Sequence, residues 1–82
     1  MEKRMTKRER VLRHLQEFGS ITSWEAIKEY GETRLAATIH ELKRKYHYVF
    51  NDEWVEFIDR YGFPGKFKKY ILIGKEDENE NN

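Results

Sequence analysis

The sequence predicts an α+β fold in which three α-helices are followed by a two-stranded antiparallel β-hairpin. Two observations lead to this prediction. Up to Tyr46, apolar residues recur at helical spacing, and two Thr-x-x-Glu spacings open helical segments. From Val49 onward, β-branched and aromatic residues alternate with polar ones on either side of a turn cluster, which is typical of a hairpin.

The first predicted helix begins after Thr6 and ends at Phe18. Thr6 and Glu9 have the capping-box spacing, in which each side chain accepts from the other residue's backbone N–H. Gly19 supplies the left-handed residue that commonly ends a helix. The apolar stripe expected to face the core is Val11, Leu12, Leu15 and Phe18.

A short extended link at residues 20–21 leads to the second predicted helix. Thr22 and Glu25 repeat the capping-box spacing, and the helix runs to about Tyr30 before Gly31 ends it. The apolar positions expected to face the core are Trp24, Ile27 and Tyr30, and Ala26 is small enough to let a neighbouring helix come close.

Only residues 31–33 separate this helix from the third predicted helix. A short helix, a tight turn containing glycine and a longer helix form the helix-turn-helix arrangement, whose second helix can enter the DNA major groove. The same spacing fits a plain three-helix bundle, so the rest of the chain must decide between them. The apolar stripe of the third helix is Leu35, Ile39, Leu42 and Tyr46.

Residues 49–73 are predicted to form the hairpin. Residues 61–65, Tyr-Gly-Phe-Pro-Gly, make the turn cluster, and residues 67–73 make the second strand. Both faces of that strand carry apolar and lysine side chains, so the alternation leaves open which face covers the core.

The composition indicates one small domain without disulfides or thiolate metal ligands. A chain of 82 residues is too short for a second domain or a roomy internal cavity. Its residues are 38% apolar and 15% aromatic, and none is cysteine. No apolar run approaches the roughly 18 residues of a membrane span, and the N-terminus does not resemble a signal peptide. We expect the mature chain to begin near Met1 and to stay in the cytosol.

The charge is distributed unevenly. The formal net charge is +1, but residues 76–82 hold four acids and no base, so residues 1–75 carry a charge of +5. An acidic segment with no apolar side chain has nothing to bury in exchange for its chain entropy. The predicted organisation is therefore a folded domain at 1–75 and a disordered acidic tail at 76–82.

The predicted order of elements resembles winged helix-turn-helix DNA-binding domains, in which the hairpin is the wing. More narrowly, residues 19–26 (Gly-Ser-Ile-Thr-Ser-Trp-Glu-Ala) and 34–43 (Arg-Leu-Ala-Ala-Thr-Ile-His-Glu-Leu-Lys), with Arg-Tyr-Gly at 60–62 and Lys-Lys-Tyr at 68–70, resemble small helix-turn-helix proteins of bacteriophages and prophages of Gram-positive bacteria. The resemblance implies double-stranded DNA binding and regulation of phage or prophage genes in the cytoplasm of a bacterial host. One departure is the acidity of the first wing strand, with Asp52, Glu53, Glu56 and Asp59.

The outward positions of the third helix are the first candidate DNA contacts. Arg34 suits a guanine, Glu41 suits a cytosine amino group, and the methyl groups of two further side chains suit thymine. Thr33 has the chemistry to cap the helix or to contact a phosphate. A solvated helix face is the alternative interpretation. The candidate residues on this element are Thr33, Arg34, Ala37, Thr38, Glu41, Arg44 and Lys45.

The wing is the second candidate contact. Its cations suit DNA phosphates, and Tyr61 or Phe63 at the tip suits stacking or wedging between bases. The alternative is that these lysines protect an exposed edge strand against aggregation. The candidate cations are Arg60, Lys66, Lys68 and Lys69.

Catalysis and metal binding are not expected. The sequence has no recognisable nucleophile, phosphate-binding glycine loop or metal motif, and the three histidines lie far apart. We interpret Trp24 and Trp54 as packing residues and His40 as a further candidate DNA contact. No cofactor is expected.

Three questions remain open at the level of sequence. One is whether the protein represses a gene or bends DNA as an excisionase-like accessory factor. Another is whether the acidic hairpin and tail bind a host or phage protein, since acidic patches repel DNA and attract basic partners. The third is whether the protein forms a homodimer, as a palindromic operator would require.

Overall fold

A computed structural model describes residues 4–76. The three predicted helices and the hairpin are confirmed, and the five-residue loop 59–63 joins the two hairpin strands. The extended link after the first helix is a strand rather than an isolated connection. In chain order the elements are α1 (Lys7–Phe18), β1 (Ser20–Thr22), α2 (Ser23–Tyr30), α3 (Leu35–Tyr46), β2 (Tyr48–Ile58) and β3 (Pro64–Lys75).

Capping interactions set the ends of the first two helices where the sequence predicts them. The Thr6 hydroxyl accepts from the Glu9 N–H at 3.1 Å, and the Glu9 carboxylate accepts from the Thr6 N–H at 2.8 Å. The same reciprocal pair joins Thr22 and Glu25, with both distances 3.0 Å. Gly19 ends α1 at a φ of 86°, a left-handed conformation that glycine adopts without steric strain.

The sheet has three strands rather than the two predicted, in the order β1-β3-β2, and all neighbours are antiparallel. β1 pairs with β3 only at residues 69–71, and the Leu72 N–H also donates to the Gly19 carbonyl at 2.9 Å. β2 pairs with β3 along almost its whole length. Residues 54–58 and 64–68 therefore extend beyond β1 as a two-stranded ribbon, which is the wing.

The core lies between the helices and one face of the sheet. Ile21 and Tyr70 are directly opposite in register and both buried, so we call their side of the sheet the inner face and the other side the outer face. Tyr46 and Phe50 are partly buried against this core. The buried apolar residues are Val11, Leu15, Ile21, Ala26, Leu35, Ile39, Leu42 and Tyr70.

Two predicted core positions on α2 and one on α1 are wrong. Trp24 and Ile27 are 57% and 42% exposed, and Phe18 is 69% exposed. On α2 the small Ala26 is buried instead, and on α1 His14 is buried. The helical period identifies an apolar stripe, but these stripes extend past the edge of the core.

Two sequence predictions concern the chain termini and membranes. The predicted acidic tail lies outside the described residues, apart from Glu76, whose N–H donates to the His47 carbonyl at 2.7 Å. Between residues 4 and 76, no helix has the length and apolar character needed to cross a bilayer.

His14 and Tyr30 join α1 to α2. The His14 Nδ1 and the Tyr30 hydroxyl lie 2.7 Å apart, and the two rings meet edge to face. Burial raises the pKa of Tyr30 above its usual value, and the nearby carboxylates of Glu29, Glu17 and Glu25 raise it further, while Arg10 lowers it.

The raised pKa of Tyr30 predicts a loss of stability in alkali. The folded state holds the phenol proton of Tyr30 more tightly than the unfolded state. The stability that this proton contributes is therefore complete below the unfolded pKa of 10.0 and is lost as pH rises through the folded pKa. Tyr30→Phe is expected to lower the free energy of unfolding by about 1 kcal/mol near neutral pH and to lose less stability above pH 10.0. Urea unfolding as a function of pH measures both effects.

The matched control is Tyr61→Phe, because Tyr61 is 78% exposed. This variant should follow the wild-type pH dependence. An identical alkaline loss in Tyr30→Phe and wild type would contradict the assignment.

Candidate nucleic-acid interface

The turn between α2 and α3 carries a buried carboxylate. Glu32 is 8% exposed, and its backbone N–H donates to the Ala26 carbonyl at 2.9 Å. One carboxylate oxygen accepts from the Arg34 N–H at 2.9 Å, and the other accepts from the Thr38 hydroxyl at 3.1 Å. These bonds join the first turn of α3 to the end of α2 and so set the orientation of α3.

The predicted roles of Thr38 and Thr33 are corrected by this turn. Thr38 is 9% exposed and its hydroxyl is bonded to Glu32, so it does not present a methyl group to DNA. Position 38 lies three residues after Leu35 and four before Leu42, which places it on the buried stripe. Thr33 does not cap α3, because the N-cap residue is Arg34 and no side chain makes a capping hydrogen bond there, but Thr33 is exposed and accessible to a phosphate.

The other predicted positions on α3 are accessible. Ala36 and Lys43, which the sequence analysis did not include, are also exposed. Three consecutive basic residues, 43–45, occupy the last turn of α3, where the helix dipole favours positive charge. The predicted residues that are exposed are Arg34, Ala37, His40, Arg44 and Lys45, and Glu41 is partly exposed.

Glu41 has two cationic partners within the chain. Its Oε2 lies 3.4 Å from Arg8 Nη1 and 3.7 Å from Lys45 Nζ. The Arg8 guanidinium also lies over the Tyr46 ring, 5.2 Å from its centroid. A cytosine contact by Glu41 would compete with these ion pairs, and it stays a prediction.

On the wing, two lysines and an aromatic ring form a cationic surface on the inner face. The Lys66 and Lys68 ammonium groups lie 5.0 and 5.2 Å from the centroid of the Trp54 ring. Lys68 Nζ is also 3.3 Å from an Asp52 carboxylate oxygen and 5.8 Å from the Tyr70 centroid. Trp54 is 56% exposed, so it packs on the hairpin against these cations and not in the core.

Lys69 does not join this surface. Successive residues of a strand point to opposite faces, so Lys68 lies on the inner face with Tyr70 and Lys69 lies on the outer face. Lys69 is directly opposite Glu53 on β2. The predicted wing cations are therefore divided between two surfaces.

The acidic residues of the wing are also divided. Asp52 and Glu56 lie on the inner face, where Glu56 is opposite Lys66, and Glu53 lies on the outer face. Asp59 stabilises the loop, because its carboxylate accepts from the N–H groups of residues 61 and 63 at 2.9 Å each. Across residues 4–76 these acids do not form one patch for a basic partner.

The wing tip carries exposed apolar side chains. Ile58 is 67% exposed, Tyr61 is 78% exposed and Phe63 is 66% exposed. Arg60 is exposed beside them. The tip therefore combines one cation with three apolar side chains that meet solvent.

Sequence reasoning missed two features of this interface. The burial of Glu32 had no local signal, because a charged residue in a tight turn is ordinarily solvated. The contact of Lys66 and Lys68 with Trp54 depends on the register between the two strands. A hairpin predicted from sequence does not specify that register. Within residues 4–76, no group of three or more His, Asp or Glu side chains is arranged to hold a metal ion.

The family described as the winged helix-turn-helix domain matches residues 6–74, and the chain belongs to this family. The match agrees with the element order, and it confirms the resemblance to winged helix-turn-helix domains. Family membership indicates binding of double-stranded DNA, which the exposed cations of α3 and the wing suit. No curated protein and no solved structure matches the chain.

The bond between Thr38 and Glu32 predicts that Thr38 contributes to stability. Thr38→Val keeps the shape of the side chain but leaves the buried carboxylate short of one donor, so we expect the free energy of unfolding to fall by about 1–3 kcal/mol. Urea unfolding measures the loss.

Thr33→Val is the matched control, because Thr33 is exposed and adjacent to the same turn. We expect its effect to lie within about 0.5 kcal/mol. Equal effects of the two substitutions would contradict the role assigned to the buried pair.

Proposed function

We propose that this protein is a small transcriptional regulator of the phage or prophage type, with α3 in the DNA major groove and the inner face of the wing on the phosphate backbone. The proposed role is DNA binding without catalysis, in the cytoplasm of a bacterial host. The observation that carries the proposal is the position of Lys66 and Lys68. They lie on the face of the sheet that shares a core with α3, so the helix and the wing cations occupy the same side of the sheet.

The wing surface suits phosphate binding without sequence preference. Stacking on Trp54 holds Lys66 and Lys68 in place before DNA arrives, which reduces the side-chain entropy lost on binding. Both ammonium groups retain donors for phosphate oxygens. Asp52 opposes this role, because it already neutralises part of the charge on Lys68.

The exposed side of α3 suits base contacts. Arg34 stands at the helix start, where recognition helices contact base edges, and Ala37 is exposed one turn further on. Arg44 and Lys45 stand at the other end and suit the flanking phosphates. The base-reading residues proposed are therefore few and lie in the first turns.

The salt dependence of DNA binding tests the proposal. Lys66→Gln/Lys68→Gln is expected to reduce the slope of log K against log salt concentration by about 1.8, because each phosphate contact contributes about 0.9. Asp52→Asn should strengthen binding several-fold by releasing Lys68. Fluorescence anisotropy with a labelled duplex of randomised sequence measures each affinity over a range of salt concentrations.

Arg13→Gln is the matched charge control. Arg13 lies on α1 and is paired with Glu17 at 3.2 Å, away from α3 and the wing. Its slope should equal that of the wild type. Loss of slope in this control equal to that in the lysine variant, or no binding at low salt, would overturn the proposed surface.

A second candidate function is DNA bending, as in an excisionase-like accessory factor, and the apolar wing tip favours it. Apolar side chains inserted between base steps unstack them and kink the duplex. Tyr61 and Phe63 are exposed and adjacent to the cation of Arg60, which suits such a wedge.

Energy transfer between dyes at the two ends of a duplex tests the bending function. Binding of the wild type should shorten the end-to-end distance, and Tyr61→Ser/Phe63→Ser should abolish the shortening while leaving the salt slope unchanged. Ile73→Ser, an exposed apolar position near the other end of β3, is the control. An unchanged distance on wild-type binding would exclude bending and leave simple regulation.

A further inference from the structure

The outer face of the sheet is largely apolar and partly exposed. The Phe57 and Phe67 rings stack with centroids 5.6 Å apart, and Gly65 leaves space for the Phe57 ring to lie across the strand. Trp24 and Ile27 on α2 face these rings across an open groove of about 450 Å³. Apolar side chains on this face are Val55, Phe57, Phe67, Ile71 and Ile73.

Several large apolar side chains on and beside this face are exposed together, not singly. Exposed fractions are 57% for Trp24, 43% for Phe57 and 55% for Ile73. Contiguous apolar surface on a small domain marks an interaction site. Lys66 also lines the groove, whereas the Lys68 ammonium group lies on the opposite face, near the Trp54 and Tyr70 rings.

One pair of opposite charges lies within the outer face. Glu53 on β2 is directly opposite Lys69 on β3, between the aromatic cluster and Ile71. Such a face is complementary to a second copy of itself when β2 of one copy lies over β3 of the other, because each acid then meets a base.

We propose that the outer face binds a second copy of this chain. A two-fold axis parallel to the strands, between β2 and β3, lays β2 of each copy over β3 of the other. Glu53 then faces Lys69 of the second copy, and Val55 faces Phe67 of the second copy. Both wings point in the same direction, and the two inner faces point outward on opposite sides of the dimer.

The charges disfavour two other ways of pairing two copies. A two-fold axis perpendicular to the strands at the level of Glu53 would place Glu53 of one copy against Glu53 of the other. Antiparallel pairing of the β2 edges would bring together the acids Asp52, Glu53 and Glu56 from each copy, and like charges in register destabilise a sheet. The tail residues 77–82 carry no apolar side chain and do not suit an apolar groove.

The face is modest in size, and this sets the expected affinity. Ordinary protein interfaces bury about 800 Å² on each partner, and the contact proposed here uses two strands and one helix edge. We therefore expect a dimer with a dissociation constant in the micromolar range, on the order of 10–100 μM.

Sedimentation equilibrium of the protein alone tests the dimer. Because DNA is absent, the outcome does not depend on the proposed function. Wild type should be dimeric at about 1 mM and dissociate on dilution. Glu53→Lys and Lys69→Glu should each raise the dissociation constant about tenfold or more, since two like-charge pairs replace two opposite-charge pairs.

Mixing these two single variants is the decisive measurement. In a mixed dimer, Lys at position 53 of one chain faces Glu at position 69 of the other, and the second pair retains the original Glu53 and Lys69. An equimolar mixture should therefore restore dimers that neither variant forms alone. An effect confined within one chain would not be restored by mixing.

Two further variants control for folding and for the choice of face. The double variant Glu53→Lys/Lys69→Glu should dimerise as wild type does. Trp54→Ser on the inner face should leave association unchanged. A monomeric wild type at about 1 mM would overturn the proposal and point to a different protein as the occupant. Failure of the mixture to form dimers, or loss of association in Trp54→Ser, would also overturn it.

Discussion

The orientation of α3 depends on one buried carboxylate. A carboxylate is costly to bury unless hydrogen bonds replace its lost water, and Glu32 receives donors from the start of α3 and from Thr38 one turn later. Two attachment points on one turn prevent α3 from rotating about its own axis. The directions of Arg34 and Ala37 toward solvent follow from this constraint. The side chains that α3 exposes therefore depend on a residue that is itself buried.

A second constraint assigns chemistry to the two faces of the wing. Side chains alternate along a strand, so the burial of Tyr70 determines that Lys68 lies on its face and Lys69 on the other. A shift of one residue in the pairing would exchange the two faces along the entire wing. The single irregularity recorded in the β2–β3 register lies at Val49 and Phe50, near the base of the sheet, so the wing itself remains in register.

Much of the fold was predictable from local signals, and most of the site was not. The helix ends followed from Thr6, Thr22 and the glycines after them, since capping involves residues close in sequence. The pairing of β1 joins residues about fifty positions apart, and a three-residue segment has no period that reveals it. The inner face could not be assigned because both faces of β3 carry apolar and lysine residues. The burial of Glu32 likewise depends on tertiary packing alone.

The wing extends beyond β1, so β3 has two neighbouring strands at the base of the sheet and only one in the wing. Local stability therefore decreases along the sheet toward the wing tip. At its base, β3 is paired on both sides and Tyr70 lies in the core, so opening there requires disruption of the whole domain. Beyond residue 69, two strands remain with no third strand beside them, and isolated two-stranded ribbons are only marginally stable. The ribbon can therefore bend or fray at its tip while the core stays folded. A single continuous hairpin thus combines a rigid anchor with a compliant end.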